Sequence, residues 1–207
     1  MKLPLHIVVD LDGTILDNKT RLFNSFKIAA KNKEVKFEEY LEFRRIGLSN
    51  YQILEQLGVS RNILESFQSD WLVLIESENM LELDSLFHGV KEWLQNLTSQ
   101  AQISLCTARK TPESCITQLT NLGISGYFTN LGIVGNAEGK IEWIRNLEKN
   151  TKIWYIGDTP TDLEISRAAG VNSILVSTGL WESSKLAALG PDIFVPKITD
   201  LNSSHFI

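Results

Sequence analysis

Two carboxylates two residues apart, Asp10 and Asp12, stand at the end of a short apolar run in His6-Ile7-Val8-Val9-Asp10-Leu11-Asp12-Gly13-Thr14. The run reads as a strand, and Gly13 lets the backbone turn and approach a ligand closely. A plain turn has no need of the second acid, although this segment taken alone also fits a turn or a calcium loop. Three further polar positions follow apolar runs or lie between them. Thr107 follows Ser104-Leu105-Cys106, Gly157-Asp158-Thr159-Pro160-Thr161-Asp162 follows Trp154-Tyr155-Ile156, and Lys140 lies between the two. Four carboxylates gathered in one crevice repel, at about 5 Å and an effective dielectric near 20, by roughly 3 kcal/mol per pair. A cation must offset that. Mg²⁺ suits oxygen-only ligands, and the lack of His or Cys at these positions disfavours zinc. Mg²⁺ together with Lys140 completes the charge balance, and the same cations bind a phosphoryl group and stabilise charge on its oxygens during transfer.

Each of these residues also has a plain structural reading. Asp162 fits a first-turn helix acid paired with a capping Thr159. Thr107 fits a strand end. Lys140 fits a solvated surface lysine, but it follows Gly139 and opens an expected helix over Ile141–Lys149, where a cation opposes the macrodipole. Arg109 is either a substrate ligand or an exposed charge ahead of the Thr111-Pro112 helix start. His6, His88 and His205 fall outside every motif, which argues against a catalytic histidine.

The elements that must position these groups alternate. Apolar, β-branched runs recur at Ile7–Val9, Gln102–Cys106, Ile153–Ile156, Ile174–Val176 and Ile193–Val195, separated by helical periodicity. Such alternation predicts a parallel sheet covered on both faces, whose ligands gather at the carboxyl ends of the strands. Thr111-Pro112 and Thr159-Pro160 read as N-caps with proline at the first helical position, and Gly123 and Gly170 as C-terminal stops. From about Asn18 to Leu83 strands disappear and helices follow one another. The last of these carries Ile63, Leu64, Phe67, Trp71 and Ile75 on one stripe after a possible N-cap at Ser60. Its aromatics read as core rather than as cofactor contacts. The expected fold class is therefore α/β: a Rossmann-like, doubly wound parallel sheet with an inserted all-helical cap domain. The core is expected over 1–17 and 84–207 and the cap over 18–83.

Composition agrees with an ordinary globular chain. The 207 residues are 43% hydrophobic and 22% charged, with a net charge of -5. That acidity disfavours nucleic acid or an anionic membrane as a partner. The first residues lack a signal-peptide cleavage pattern, and no apolar run approaches the roughly 18 residues of a membrane span. The expected location is cytoplasmic, as a monomer or homodimer. The two cysteines, Cys106 and Cys115, suggest neither a disulfide framework nor a zinc site.

The order Asp10-Leu11-Asp12-Gly13-Thr14, Thr107, Lys140 and Gly157-Asp158-Thr159-Pro160-Thr161-Asp162 resembles the four motifs of the haloacid dehalogenase superfamily. With a helical insertion after the first motif, the chain is similar to C1-capped, phosphoglycolate-phosphatase-like members. The resemblance implies a nucleophile at Asp10 that forms an aspartyl-phosphate, and an acid then base at Asp12. It implies Mg²⁺ on Asp10, Asp158 and the Asp12 carbonyl, with Asp162 in support, and phosphate binding by Thr107, Ala108 and Lys140. Asp12 also points away from haloacid dehalogenation, whose branch lacks the second acid. The stretch Phe43-Arg44-Arg45-Ile46-Gly47-Leu48-Ser49-Asn50 is similar to the specificity stretch of C1 caps, so Arg44 and Arg45, besides Arg109, are candidate substrate contacts. Ile46 and Asn50 depart from the sugar-phosphate mutase pattern. The implied activity is hydrolysis of a small phosphorylated metabolite. The alternatives are a phosphomutase of the same superfamily and a non-enzymatic phospho-acceptor or phosphate-binding protein. A response-regulator receiver fits poorly, because there the lysine comes last along the chain.

Overall fold

The structure is a computed structural model, and it describes residues 4–31, 34–147 and 150–206. In chain order the elements begin with β1 (Leu5–Val9), the short β2 (Leu16–Asp17) and five helices: α1 (Lys19–Ala29), α2 (Phe37–Arg45), α3 (Asn50–Gln56), α4 (Arg61–Leu74) and α5 (Glu78–Leu81). The chain returns through β3 (Ser85–Leu86), then α6 (Val90–Leu97), β4 (Gln102–Thr107), α7 (Pro112–Asn121), β5 (Asn130–Ile133) and α8 (Ala137–Arg145). It ends with β6 (Lys152–Gly157), α9 (Pro160–Ala169), β7 (Asn172–Val176), α10 (Ser183–Ala188) and β8 (Ile193–Val195).

The main sheet has six strands in the order β5-β4-β1-β6-β7-β8, and every pairing in it is parallel. This is the α/β class with an inserted helical unit that the sequence leads one to expect. The sheet is apolar on both faces because helices cover both. Ile7, Val9, Leu105, Ile156 and Val176 join one buried cluster, while Val8, Cys106 and Tyr155 join another on the opposite face. From β1 the chain moves outward through β4 and β5, then crosses back to start again at β6 on the other side. The switch in direction falls beside β1, and there the carboxyl ends of β4, β1 and β6 lie side by side.

One main-sheet strand, β5, has no apolar β-branched run to announce it. Asn130-Leu131-Gly132-Ile133 is a four-residue edge segment. Its Gly132 is covered by the Trp143 indole, which a Cβ there would meet at 2.6 Å, so close packing takes the place of a branched side chain. The helix expected over Ile141–Lys149 instead starts at Ala137, where the Asn136 side chain accepts from the Gly139 N–H at 2.7 Å. Lys140 therefore sits inside the first turn rather than before it. The end of the expected helix, Glu148 and Lys149, lies outside the described residues.

The inserted helices have their own core. Phe26, Tyr40, Ile53, Leu54 and Phe67 are buried together, and Trp71 packs against them. The Phe26 and Tyr40 rings lie 4.9 Å apart, and Phe67 stacks with Trp71 at 5.9 Å. Leu64, Phe67 and Trp71 of the expected stripe join this core, whereas Ile75 lies just past α4 and lines a crevice over the ends of the strands. The two crossings between this unit and the sheet domain are tied by the antiparallel β2–β3 ribbon, where Leu16 pairs with Leu86 and Asp17 with Ser85.

Candidate active site

Three parallel strand ends place the chemistry. The Asp10 N–H donates to the Ile156 carbonyl at 2.8 Å, extending the β1–β6 ladder one residue past β1. Thr107 is the last residue of β4 and Asp158 the first after β6. A crevice of about 320 Å³ opens above them, lined among others by Asp10, Asp12, Thr107, Ala108, Lys140 and Asp162.

Backbone geometry brings Asp158 in closely. Gly13 adopts φ +85°, and a Cβ there would stand 2.4 Å from Asp158 Oδ2. Only glycine satisfies both the left-handed turn and the close approach. The Thr14 hydroxyl donates to Asp158 Oδ1 at 3.0 Å, so the last two residues of the first motif shape the seat of the third acid.

Lys140 is buried and directed inward. Its Nζ donates to Asp10 Oδ1 at 2.5 Å, to the Tyr155 hydroxyl oxygen at 2.9 Å and to Asp162 Oδ1 at 3.2 Å. The solvated-lysine reading is set aside by this burial. Asp162 performs both duties weighed for it. With Thr159 it forms a capping box at the start of α9, its Oδ2 accepting from the Thr159 N–H at 3.1 Å. Its Oδ1 accepts from Tyr155 at 2.7 Å as well as from Lys140. Tyr155 is a member of the site that sequence reasoning missed. It is hidden within an apolar strand, and its hydroxyl on the face shared with Val8 is the one available signal.

Carboxylate oxygens of Asp10, Asp158 and Asp162 lie within 4.8 Å of one another. At that separation each pair of charges repels by about 3 kcal/mol at an effective dielectric of 20, and one ammonium faces all three. The titration reflects this imbalance. Burial pushes Asp10 up to about 7, with Lys140 opposing and Asp162 adding to the rise. Burial, then Asp162 and Asp10, pushes Asp158 well above its ordinary value. For Asp162, burial is outweighed by Lys140 and its hydrogen bonds, so it is held low. Asp10, more than any other group, holds Lys140 protonated against the opposing effect of burial. Two buried acids that resist ionisation beside a third make an all-oxygen site fitted to a hard divalent cation. Asp162 is already committed to Lys140, Tyr155 and Thr159, which leaves Asp10 and Asp158 as the better side-chain ligands.

The fourth acid, Asp12, lines the same crevice but turns from this cluster to two arginines. Arg109 grips it with Nε on Oδ2 and Nη2 on Oδ1, both at 2.8 Å, and Arg21 from α1 pairs with the same Oδ1. Asn18 donates to Oδ1 at 3.2 Å. Burial would raise Asp12, but Arg21 and then Arg109 outweigh it and hold the carboxyl well below the usual range. The guanidinium of Arg109 is thus engaged inside the protein, with Nη1 on Gln118 at 2.5 Å and Nη2 also on Asp84 at 3.2 Å. Arg21 and Asp84 lie outside every motif, and nothing in their local sequence marks them.

The other candidate arginines lie on the helical unit. Arg44 donates to the Leu48 carbonyl at 3.0 Å and lines a second hollow of about 150 Å³ with Asp12, Asp158 and Trp181. Arg45 is exposed and paired with Glu42 one turn away. Gly47, at φ +98°, lies against Trp181, whose ring a Cβ would meet at 3.0 Å.

Residues 7–176 match the family described as haloacid dehalogenase-like hydrolase. The chain is 25% identical over 210 residues to a phosphoglycolate phosphatase of Aquifex aeolicus, covering 94% of this chain and 93% of that one. Among solved structures it is similar in fold to the haloacid dehalogenase-like family hydrolase SP0104 of Streptococcus pneumoniae. That likeness has a TM-score of 0.75 at 19% identity over 94% of both chains. A HAD-hydrolase of Bacillus subtilis, YfnB, solved bound to magnesium, is similar over 100% of both chains with a TM-score of 0.66 at 12% identity.

Proposed function

Because the chain belongs to the haloacid dehalogenase-like hydrolases, we propose that it is a Mg²⁺-dependent phosphatase of small phosphate monoesters that works through an aspartyl-phosphate on Asp10. The observation that carries this reading is the buried Lys140–Asp10 pair at 2.5 Å, set beside two further buried acids.

Lys140 occupies Asp10 Oδ1 and leaves Oδ2 for phosphorus. The Oδ2–P bond forms as the bond from phosphorus to the alcohol oxygen breaks, and that oxygen takes a proton from Asp12, which Arg21 and Arg109 otherwise hold ionised and which must bind a proton before this step. Water then attacks phosphorus, gives a proton back to Asp12, and the Asp10 carboxylate leaves with inorganic phosphate as product. Thr107, Ala108 and Lys140 hold the phosphoryl oxygens. Asp10, Asp158 and the Asp12 carbonyl, with Asp162 in support, would hold Mg²⁺, which would supply positive charge against the oxygens of the transferring group. Residues 18–83 act as a cap over the core of 1–17 and 84–207, excluding water during transfer. Arg44, close to Asp12 and Asp158 across the smaller hollow, is the cap arginine placed to meet the rest of the ester, whereas Arg45 lies outside it.

Hydrolysis of p-nitrophenyl phosphate tests the proposal. Release of phosphate is expected with Mg²⁺ and not after EDTA, and Asp10→Asn is expected to be inactive. Activity that survives both treatments refutes the mechanism. Retention of phosphate in the organic product when a bisphosphate primer is supplied favours a phosphomutase instead.

A further inference from the structure

Asp12 is held from two sides of the molecule, and only one of them belongs to the sheet domain. Arg109, just after β4, grips both carboxylate oxygens in a bidentate pair. Arg21 reaches Oδ1 from α1, within the helical unit, and every nitrogen of its guanidinium is used. Nε donates to Asp84 Oδ1 at 2.9 Å, Nη1 to the Ile75 carbonyl at 2.9 Å, and Nη2 pairs with Asp12. Asp84, whose side chain is fully buried, lies where the chain returns from the unit and bridges the two arginines through its two oxygens. Gln118 on α7 locks both Asp84 and Arg109. Both crossings between the helical unit and the sheet domain are therefore joined to the Asp12 carboxylate by a fork of hydrogen bonds.

From this we propose that Arg21, working with Arg109, is a positioning residue for Asp12, so that the seat of the helical unit decides where this carboxyl points. This rests on the reading of Asp12 as proton donor given above. Arg109 stays with the sheet domain wherever the unit sits, whereas Arg21 and the Ile75 carbonyl travel with the unit. Displacing the unit removes one of the two arginines from Asp12 and leaves the carboxyl free to swing about the other. Catalysis of proton transfer is thereby coupled to closure over the crevice, without Arg21 touching substrate.

The test exploits the leaving group, in the full-length protein with Mg²⁺ present. An alkoxide needs a proton to leave, whereas p-nitrophenolate leaves unprotonated. The readout is the ratio of kcat on an alkyl ester, chosen from propyl phosphate, glycerol phosphate and phosphoglycolate, to kcat on p-nitrophenyl phosphate. Arg21→Lys, which keeps the cation beside Asp12 but not the fork, is expected to lower this ratio about tenfold, and Asp12→Asn to lower it further, within the roughly 10²–10⁴ range of general acid catalysis. Adding Arg21→Lys to Asp12→Asn is expected to leave the ratio where Asp12→Asn alone put it, because Arg21 acts through Asp12. An Arg21→Lys protein that melts like wild type and loses both activities equally overturns the proposal, as does a further fall of the ratio in the double variant. If Asp12→Asn itself leaves the ratio unchanged, or wild type hydrolyses no alkyl ester, the parent reading of Asp12 or of the substrate fails, and this inference with it.

Discussion

The loop after β1 separates two charged clusters built on opposite principles. On one side Asp10, Asp158 and Asp162 face a single ammonium, that of Lys140. On the other, Asp12 and Asp84 meet Arg21 and Arg109, so the acids and bases are matched. The unmatched cluster pushes Asp10 and Asp158 up and holds Asp162 low through Lys140, while in the matched one the arginines pull Asp12 down and burial raises Asp84. A charge deficit around buried carboxylates marks a place that a cation and a ligand complete. A charge balance marks a place the protein has completed for itself, and its service is to hold something still.

The sharpest way to break this contrast is through activity. Asp10→Asn is expected to lower phosphate release about 10³-fold or more, while Arg45→Ala, on the exposed face of the helical unit, leaves it near wild type. Steady-state assays on p-nitrophenyl phosphate decide it, and comparable losses would erase the distinction between site and surface. Lys140→Met comes next, with an expected loss of about 10²–10³-fold, as for removal of a preorganised charge facing the transferring group.

Stability sharpens the matched side. Asp84→Leu leaves two buried guanidinium groups facing one carboxylate, and urea denaturation is expected to report a loss of about 3–5 kcal/mol that Mg²⁺ does not restore. The unmatched side responds oppositely to the ion. In metal-free protein Asp10 binds its proton up to about 7 when folded, against an ordinary 3.8, so the folded state holds the extra proton within that window. Unfolding stability must then fall as pH rises from about 4 to about 7, because the unfolded state binds fewer protons. Mg²⁺ at about 100 times its Kd is expected to add about 2.7 kcal/mol at neutral pH, read as a rise in Tm. A Tm that rises with pH over this window in metal-free protein, or that ignores Mg²⁺, would undo the assignment of the deficit. Arg45→Ala closes the series with an expected change in stability below about 0.5 kcal/mol, since its pair with Glu42 is exposed.

Much of the fold can be read from local pattern. Apolar runs announce β1, β4, β6, β7 and β8, and Thr-Pro starts with glycine stops bracket α7 and α9. The edge strand β5 escapes because Gly132 answers to the Trp143 ring rather than to strand propensity. In the site, the acids, Thr107 and Lys140 can be named from residue type and from the strands they follow. Tyr155, Arg21 and Asp84 cannot, since each is defined by a partner in another segment. Tyr155 reaches Asp162 across the turn from β6 into α9, and Arg21 meets Asp84 from 63 residues away.

What the sequence determined by itself is most of the elements and the candidate acids, because periodicity, capping and turn chemistry act over a few residues. Only the tertiary structure decided how the four acids divide. Strand order sets Asp10 beside Asp158, and the burial of Lys140 joins Asp162 to them. Arg21 reaches Asp12 from α1 and Arg109 from just past β4. Charge interactions depend on distance through space and on local burial, and neither is written in the spacing along the chain.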